Sequence, residues 1–293
     1  MIQNWASKLA KSLILLAAIQ DAAPLYARTF EEIKKSGELK VATRNRPGVS
    51  QKVGNEIRGF HYCLMSRFAK DQGLKLVVEW RTHDFLEYFK KPGYDIHKVM
   101  TDPSLAYMPE YLEHNDIGLD GFNFLPWREK LGDYIKLTHA RQIVVYNKNK
   151  MKKPDSVVDL AGKTVVVNEG TSQHSMLKEI AGKYKINIVL AKMQQQQDND
   201  LEGLISGKAD FAIYPSTYAL HDIKANGQLG FGFAIGDSAP FAWMIAKNNP
   251  TLAAELNKFV KNGKENGTFD TCFKQEYGIS YNDYLRSLSI LDN

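Results

Sequence analysis

The chain has 293 residues, 44% hydrophobic and 24% charged, an ordinary globular composition that excludes disorder over most of its length. Its 38 Lys plus Arg against 33 Asp plus Glu leave a net +5 spread thinly along the chain, not the dense basic stripe that nucleic-acid binding needs. Two cysteines exclude a disulfide-framework fold and a four-cysteine zinc site, and no apolar run approaches the roughly 20 residues of a membrane span.

The first residues read as a leader. Lys8 and Lys11 precede a short apolar core, Ser12 to Ile19, and a small-residue tail ending Leu25-Tyr26-Ala27. Basic, apolar and small-residue regions in that order predict a secretory signal peptide over residues 1–27, hence a periplasmic protein, rather than an amphipathic helix of a cytosolic one. No cysteine lies near the cut, so no lipoprotein anchor is expected.

Beyond the leader, Thr29 to Gly37 predicts a short helix, with Thr29 as cap, Glu31 and Glu32 in the first turn and a glycine stop. Leu39 to Thr43 is a β-branched strand, Phe60 to Gln72 an amphipathic helix ended by Gly73, and Leu76 to Trp80 the next strand. This β-α-β order is the signature of an α/β layer. His83 to His114 is aromatic and irregular, with short helices expected at Phe85 to Phe89 and Tyr107 to Glu113. Asp116 to Leu125 is a strand-turn segment and Gln142 to Tyr146 a strand. A second α/β unit opens near Lys152: strand Thr164 to Val167, a helix through Ala181, strand Ile186 to Leu190, helix Leu201 to Ser206 and strand Ala209 to Tyr214. Phe241 to Ala246 is a late strand, and Pro250 to Gly263 and Thr268 to Tyr277 are helices. The run Gln194 to Gln197 reads as a solvated loop.

Two places carry candidate chemistry. Gly170-Thr171-Ser172 lies between a buried-type strand and a helix, where free backbone N–H groups and the helix dipole converge. Its hydroxyls suit either a helix cap or a carboxylate or phosphate, and the local pattern leaves both open. Arg128, after Pro126-Trp127, has the planar fork that grips a carboxylate. Local sequence alone favours a surface arginine paired with Glu129 or Asp133. The seven histidines show no metal-ligand spacing.

Taken together, several segments resemble the family 3 bacterial extracellular solute-binding proteins, the periplasmic receptors of amino-acid-type ABC importers. Within that family the solute-binding-like domain of lytic murein transglycosylases of the F type is the nearest in kind. The likeness covers nearly all of residues 29–285 and rests on Phe30 to Thr43, Gly59-Phe60-His61-Tyr62-Cys63-Leu64, Asp116 to Arg128, Leu160 to Ser172, Gly207-Lys208-Ala209-Asp210 and Gly263 to Tyr277. It implies an α/β, periplasmic binding protein-like II fold: two α/β lobes joined by two hinge strands, with ligand in the cleft. Lobe 1 is expected at 28–143 plus 245–293 and lobe 2 at 147–240, with crossings near Ile143 to Tyr146 and Phe241 to Met244. Ligands of open α/β sheets sit at the carboxyl ends of the strands.

The resemblance also implies that Arg128, Thr171 and Ser172 hold a ligand carboxylate and that Gly121 and Asn123 line the cleft. Departures matter equally. His61 and Cys63 stand where the family signature has an acidic pair, and Pro215 stands where it has an ammonium-binding aspartate, next to Ser216. Arg44 and Arg46 sit at the cleft edge, where an aromatic residue is frequent. The expectation is therefore an anionic ligand, with Asp120 as a replacement carboxylate if the ligand is amino-acid-like. Arg81 to Tyr111 looks like an insertion of about two dozen residues, beyond usual loop lengths. Packing onto lobe 1 is its expected role, with a partner surface second.

The function implied is capture of a small, carboxylate-bearing solute for an ABC permease, by a monomer without cofactor, metal or nucleic-acid partner. The alternative is a ligand-sensing module that regulates a protein or cell-wall partner. No enzyme is expected, because the chain ends at Asn293 soon after the solute-binding part, and no acid–base set for a cyclohexadienyl-dehydratase-like reaction can be assigned. Cys63 and Cys272 both fall in lobe 1. A disulfide suits an oxidising compartment, yet two separate buried thiols are the expected state.

Overall fold

A computed structural model describes residues 27–81, 85–102, 104–191 and 199–291. The leader expected over residues 1–27, save Ala27, and the Gln194 to Gln197 run lie outside the described residues.

The helices are α1 (Phe30–Ser36), α2 (Phe60–Asp71), α3 (Ile96–Thr101), α4 (Tyr111–His114), α5 (Ser172–Tyr184), α6 (Asn199–Ser206), α7 (Ser216–Ala225), α8 (Pro250–Glu265), α9 (Thr268–Tyr277) and α10 (Tyr281–Leu291). The strands are β1 (Glu38–Arg44), β2 (Gln51–Val53), β3 (Glu56–Arg58), β4 (Lys75–Arg81), β5 (Ile117–Asn123), β6 (Asp133–Asn147), β7 (Thr164–Asn168), β8 (Asn187–Ala191), β9 (Phe211–Pro215) and β10 (Leu229–Ile245). The capping signal at the start of α1 holds: Thr29 and Glu32 form a reciprocal box and Gly37 closes the helix in the left-handed conformation.

Eight strands make one mixed sheet in the order β4-β1-β5-β10-β6-β9-β7-β8. β1 pairs in parallel with β4 and β5, and β7 with β8 and β9. Between these two parallel groups run β6 and β10, antiparallel to each other along nearly their whole lengths. Phe241 to Ile245 of β10 pair with β5, whereas Gln142 to Tyr146 of β6 pair with β9. Between those stretches the β6–β10 register slips, from Ile235 to Ala239.

Both faces of the sheet are covered, so alternate residues of one strand belong to different cores, as expected for strands that read as continuous apolar runs. Leu39 and Val41 face a core with α1, α2, α8 and α9, while Ala42 faces a second one. Val165 and Val167 pack under α5, while Val166 turns toward Leu204 and Tyr218. The insertion supplies much of the second core of the first half: its Leu86, Tyr88, Phe89, Ile96, Val99 and Tyr111, with the adjoining Leu112, bury themselves against Phe122, Trp127 and Met244. Tyr88 stacks edge-on against Tyr111 and Phe122, at 5.1 and 5.3 Å between centroids.

The expectation of two separate thiols is overturned. Cys63 and Cys272 are joined in a disulfide with Cα atoms 5.7 Å apart. The reason is tertiary: Phe60 of α2 packs edge-on against Phe269 and Phe273 of α9, which lays the two helices side by side. A sequence separation of 209 residues conceals that neighbourhood.

Candidate functional site

The carboxyl ends of β1, β5, β7 and β9 converge on one pocket between the two strand groups. From the first half it is lined by Arg44, Arg46, Gly121, Asn123 and Arg128. From the second half come Asn168, Thr171, Ser172, Gln173, Ile213, Tyr214, Pro215 and Tyr218. Two of the predicted residues stand apart. Asp120 is fully buried behind the lining, and Ser216 turns away, accepting from the Arg141 backbone N–H and sharing a 2.8 Å hydrogen bond with Tyr284. The enclosed space is about 40 Å³, room for water rather than for an organic ligand.

Arg128 is not the surface residue that its neighbours Glu129 and Asp133 suggest. It is 1% exposed, with its guanidinium carbon 5.0 Å from the Trp127 ring centroid and 5.2 Å from that of Phe89. It donates to the Asn123 carbonyl at 3.3 Å and, across the cleft, to the Gly170 carbonyl. Burial lowers its pKa to about 10, which leaves it charged at neutral pH but poorly solvated.

The opposing turn is shaped by Gly170, whose φ of +70° favours glycine. A Cβ there would also fall 2.4 Å from Leu86 Cδ2, so the insertion presses directly on the turn. Thr171 is the N-cap of α5: its hydroxyl donates to the Asn168 carbonyl at 2.7 Å and accepts from the His174 N–H at 3.3 Å. Its hydroxyl therefore caps, as one of the two sequence readings has it. Ser172 Oγ donates to Asn123 Oδ1 at 3.1 Å, a second bond across the cleft. The positive end of a 13-residue helix thus points at the pocket beside a buried guanidinium, an arrangement suited to an anion.

At the β1 end the pocket is differently built. Arg44 Nε lies 2.5 Å from Asp120 Oδ2, and both side chains are buried. Asp120 Oδ1 also accepts from the Gly121 N–H at 2.8 Å and the Tyr218 hydroxyl at 3.0 Å. Burial alone would raise the Asp120 pKa, but the Arg44 charge and hydrogen bond, with the Gly121 N–H, hold it below the usual carboxylate range. Burial would likewise lower Arg44, yet the Asp120 charge and hydrogen bond raise it overall. Arg46 stacks on Tyr218, with its guanidinium carbon 4.0 Å from the ring centroid. Gly121 leaves room for Phe241, whose ring a Cβ would overlap at 1.7 Å. His61 is not in the site: buried at 1% exposure, it accepts from Trp243 Nε1 at 3.0 Å, and burial lowers its pKa to about 4.

Sequence reasoning missed Tyr218, Gln173, Asn168 and Tyr214. Tyr218 lies in α7, a helix that was not anticipated. Gln173, whose side chain donates to Gln142 Oε1 at 2.5 Å, follows a hydroxyl pair that drew attention to itself.

Residues 135–256 match the family described as NMT1/THI5 like. The membrane-bound lytic murein transglycosylase F of Stutzerimonas stutzeri is 26% identical over 253 residues, covering 85% of this chain and 48% of the relative. That of Saccharophagus degradans is 25% identical over 283 residues, covering 94% and 51%. The chain thus spans about half the length of the curated relatives it matches. Among solved structures, the ancestral amino acid-binding protein AncCDT-1, described as a precursor of cyclohexadienyl dehydratase, superposes with a TM-score of 0.66 at 24% identity, covering 85% of this chain and all 100% of that one. The arginine-bound amino acid ABC transporter substrate-binding protein AbpA of Streptococcus pneumoniae has a TM-score of 0.66 at 21% identity, covering 85% and 98%. The chain resembles the family 3 solute-binding domains, and its fold is the type II fold of the periplasmic amino-acid-binding proteins.

Proposed function

We propose that this chain is a periplasmic solute-binding protein that captures a small carboxylate-bearing ligand between two lobes and delivers it to an ABC permease. The observation that carries this reading is the meeting of Arg128 from one half with the capped N-terminus of α5 from the other, across one pocket at the strand carboxyl ends. Lobe 1 is assigned to 28–143 plus 245–293 and lobe 2 to 147–240. Strand pairing favours a small shift of these bounds, with the crossings just ahead of Gln142 in β6, where pairing with β9 begins, and just ahead of Phe241 in β10, where pairing with β5 begins, so that 142–146 go with lobe 2 and 241–244 with lobe 1.

In this reading Arg128 and the first-turn N–H groups of α5 take the ligand carboxylate. Thr171 positions the turn, and Ser172, Asn123 and Gly121 shape the wall. The Gly170 carbonyl occupies Arg128 when the lobes are shut, so ligand entry requires them to part and the carboxylate to replace that carbonyl. The protein works as a monomer and performs no catalysis. Its reading as a binding protein draws support from solved neighbours that are binding proteins by name.

A thermal-shift screen of small mono- and dicarboxylates tests this reading. Stabilisation by at least one carboxylate, lost in Arg128→Ala, is the expected result. Stabilisation that survives Arg128→Ala refutes the clamp.

The sequence likeness to the lytic transglycosylases favours a second reading, a ligand-sensing module that regulates a partner. It is preferred if ligand binding proceeds as expected while no permease associates with the liganded protein.

A further inference from the structure

The insertion is packed into the first half, yet one of its side chains reaches the other half, at the turn that faces Arg128. Resting on the clamp reading, we propose that the insertion is a built-in competitor of the ligand: Leu86 seats on Gly170 and latches the lobes shut, so that a carboxylate must break this contact to reach Arg128.

The latch is rigid on the lobe 1 side. Leu86, Tyr88 and Phe89 are buried in one core with Trp127 and Met244. The same segment is tied down by its neighbours. The Tyr107 hydroxyl donates to the Phe89 carbonyl, the Glu110 N–H donates to the Lys90 carbonyl at 3.1 Å, and Lys91 pairs with Glu113 at 2.7 Å. Phe89 also lies against Arg128, with 5.2 Å between its ring centroid and the guanidinium carbon. Leu86 and Arg128 therefore belong to one body, and both meet the same turn of lobe 2.

At that turn the fit is close. Leu86 Cδ2 stands 2.4 Å from where a Gly170 Cβ would be, so the methyl rests on bare glycine backbone. The Gly170 carbonyl accepts from Arg128, and Ser172 donates to Asn123 at 3.1 Å. At the rim, His97 of the insertion lies 3.7 Å from Glu169, an exposed contact that adds little by itself. All these contacts end on residues 169–172. A carboxylate placed between Arg128 and the first-turn N–H groups of α5 needs the turn to stand farther from Arg128, and hence from Leu86. The latch thus stabilises the form that the ligand must undo. Apparent affinity then falls by the fraction of molecules whose lobes have parted.

Double electron–electron resonance between nitroxides at Lys98→Cys in the insertion and Lys178→Cys in α5 reads the lobe separation, since the native cysteines are bonded to each other. Leu86→Val, which withdraws the contacting methyl, should move population to longer distances, and Leu86→Met should bring it back. His97→Ala, outside any core, should act the same way more weakly. In titrations with butyrate and succinate, Leu86→Val should bind at least one of them about threefold or more tighter, through faster association. Distances unchanged in both Leu86→Val and His97→Ala overturn the latch, whatever the carboxylates do. Longer distances with weaker binding and faster release would make Leu86 a cover over the ligand and overturn the competition. If neither carboxylate binds wild type or Leu86→Val at millimolar concentration while the distances lengthen, the clamp reading fails, the competition fails with it, and the latch alone stands.

Discussion

Arg44 and Arg128 are both buried at the rim of the same pocket, yet one faces a carboxylate and the other two carbonyl oxygens. The consequence is opposite in sign. The Asp120 charge outweighs burial and raises Arg44, whereas burial lowers Arg128 to about 10. A guanidinium matched by a full negative charge is part of the scaffold. One that donates to carbonyl oxygens and lies against two aromatic rings sits in the pocket wall, across from the N-terminus of α5. Two arginines that look alike in sequence therefore divide the labour of the site.

The largest expected effect comes from breaking the matched pair. Asp120→Ala leaves Arg44 buried without its carboxylate and removes the acceptor of the Tyr218 hydroxyl and the Gly121 N–H. A cost of about 3–5 kcal/mol in urea unfolding is expected. A cost under about 1 kcal/mol would mean that the pair is dispensable and that Asp120 is available to a ligand.

His61 extends the matched end, because Asp120 acts on it electrostatically while burial keeps it neutral. Its folded pKa of about 4 lies below the model-peptide value, so the unfolded chain binds a proton that the folded chain refuses. Stability from this group is complete above about pH 6.5 and falls as the pH drops toward 4, by about 3 kcal/mol at the lower limit. Equilibrium unfolding between those pH values should show that slope, and His61→Gln should flatten it. A slope unchanged in His61→Gln would assign the acid sensitivity to carboxylates instead.

How much of this could be read from the chain depends on the range of the interactions. The parallel strands were legible because burial on both faces leaves continuous runs such as Thr164 to Val167. The α5 turn was legible because glycine and the cap residue are adjacent. The two long central strands were read only in part. Residues Leu229 to Pro240 are rich in Gly, Ala, Ser and Asp and have little intrinsic strand preference, so their conformation comes from pairing with β6. The helix α10 was missed although Tyr281, Tyr284 and Leu288 recur at helical spacing and are buried together. Arg128 was misjudged from its neighbours because the groups that bury it, Phe89 and Gly170, are distant in sequence. The same holds for the Cys63–Cys272 bridge.

The smallest effect on stability belongs to the other arginine, and it sharpens the comparison most. Arg128→Met removes a poorly solvated charge and fills the gap between Trp127 and Phe89 with a flexible apolar chain that suits aromatic faces. The Asn123 and Gly170 carbonyls lose a donor, which offsets the relief of desolvation, so unfolding free energy should change by no more than about 1 kcal/mol. The lobes should part more readily, because the donor that joins Arg128 to the Gly170 carbonyl is gone. Carboxylate binding should disappear. If Arg128→Met instead destabilises the protein as much as Asp120→Ala, then Arg128 is a structural cation like Arg44, and the carboxylate clamp is not built on it.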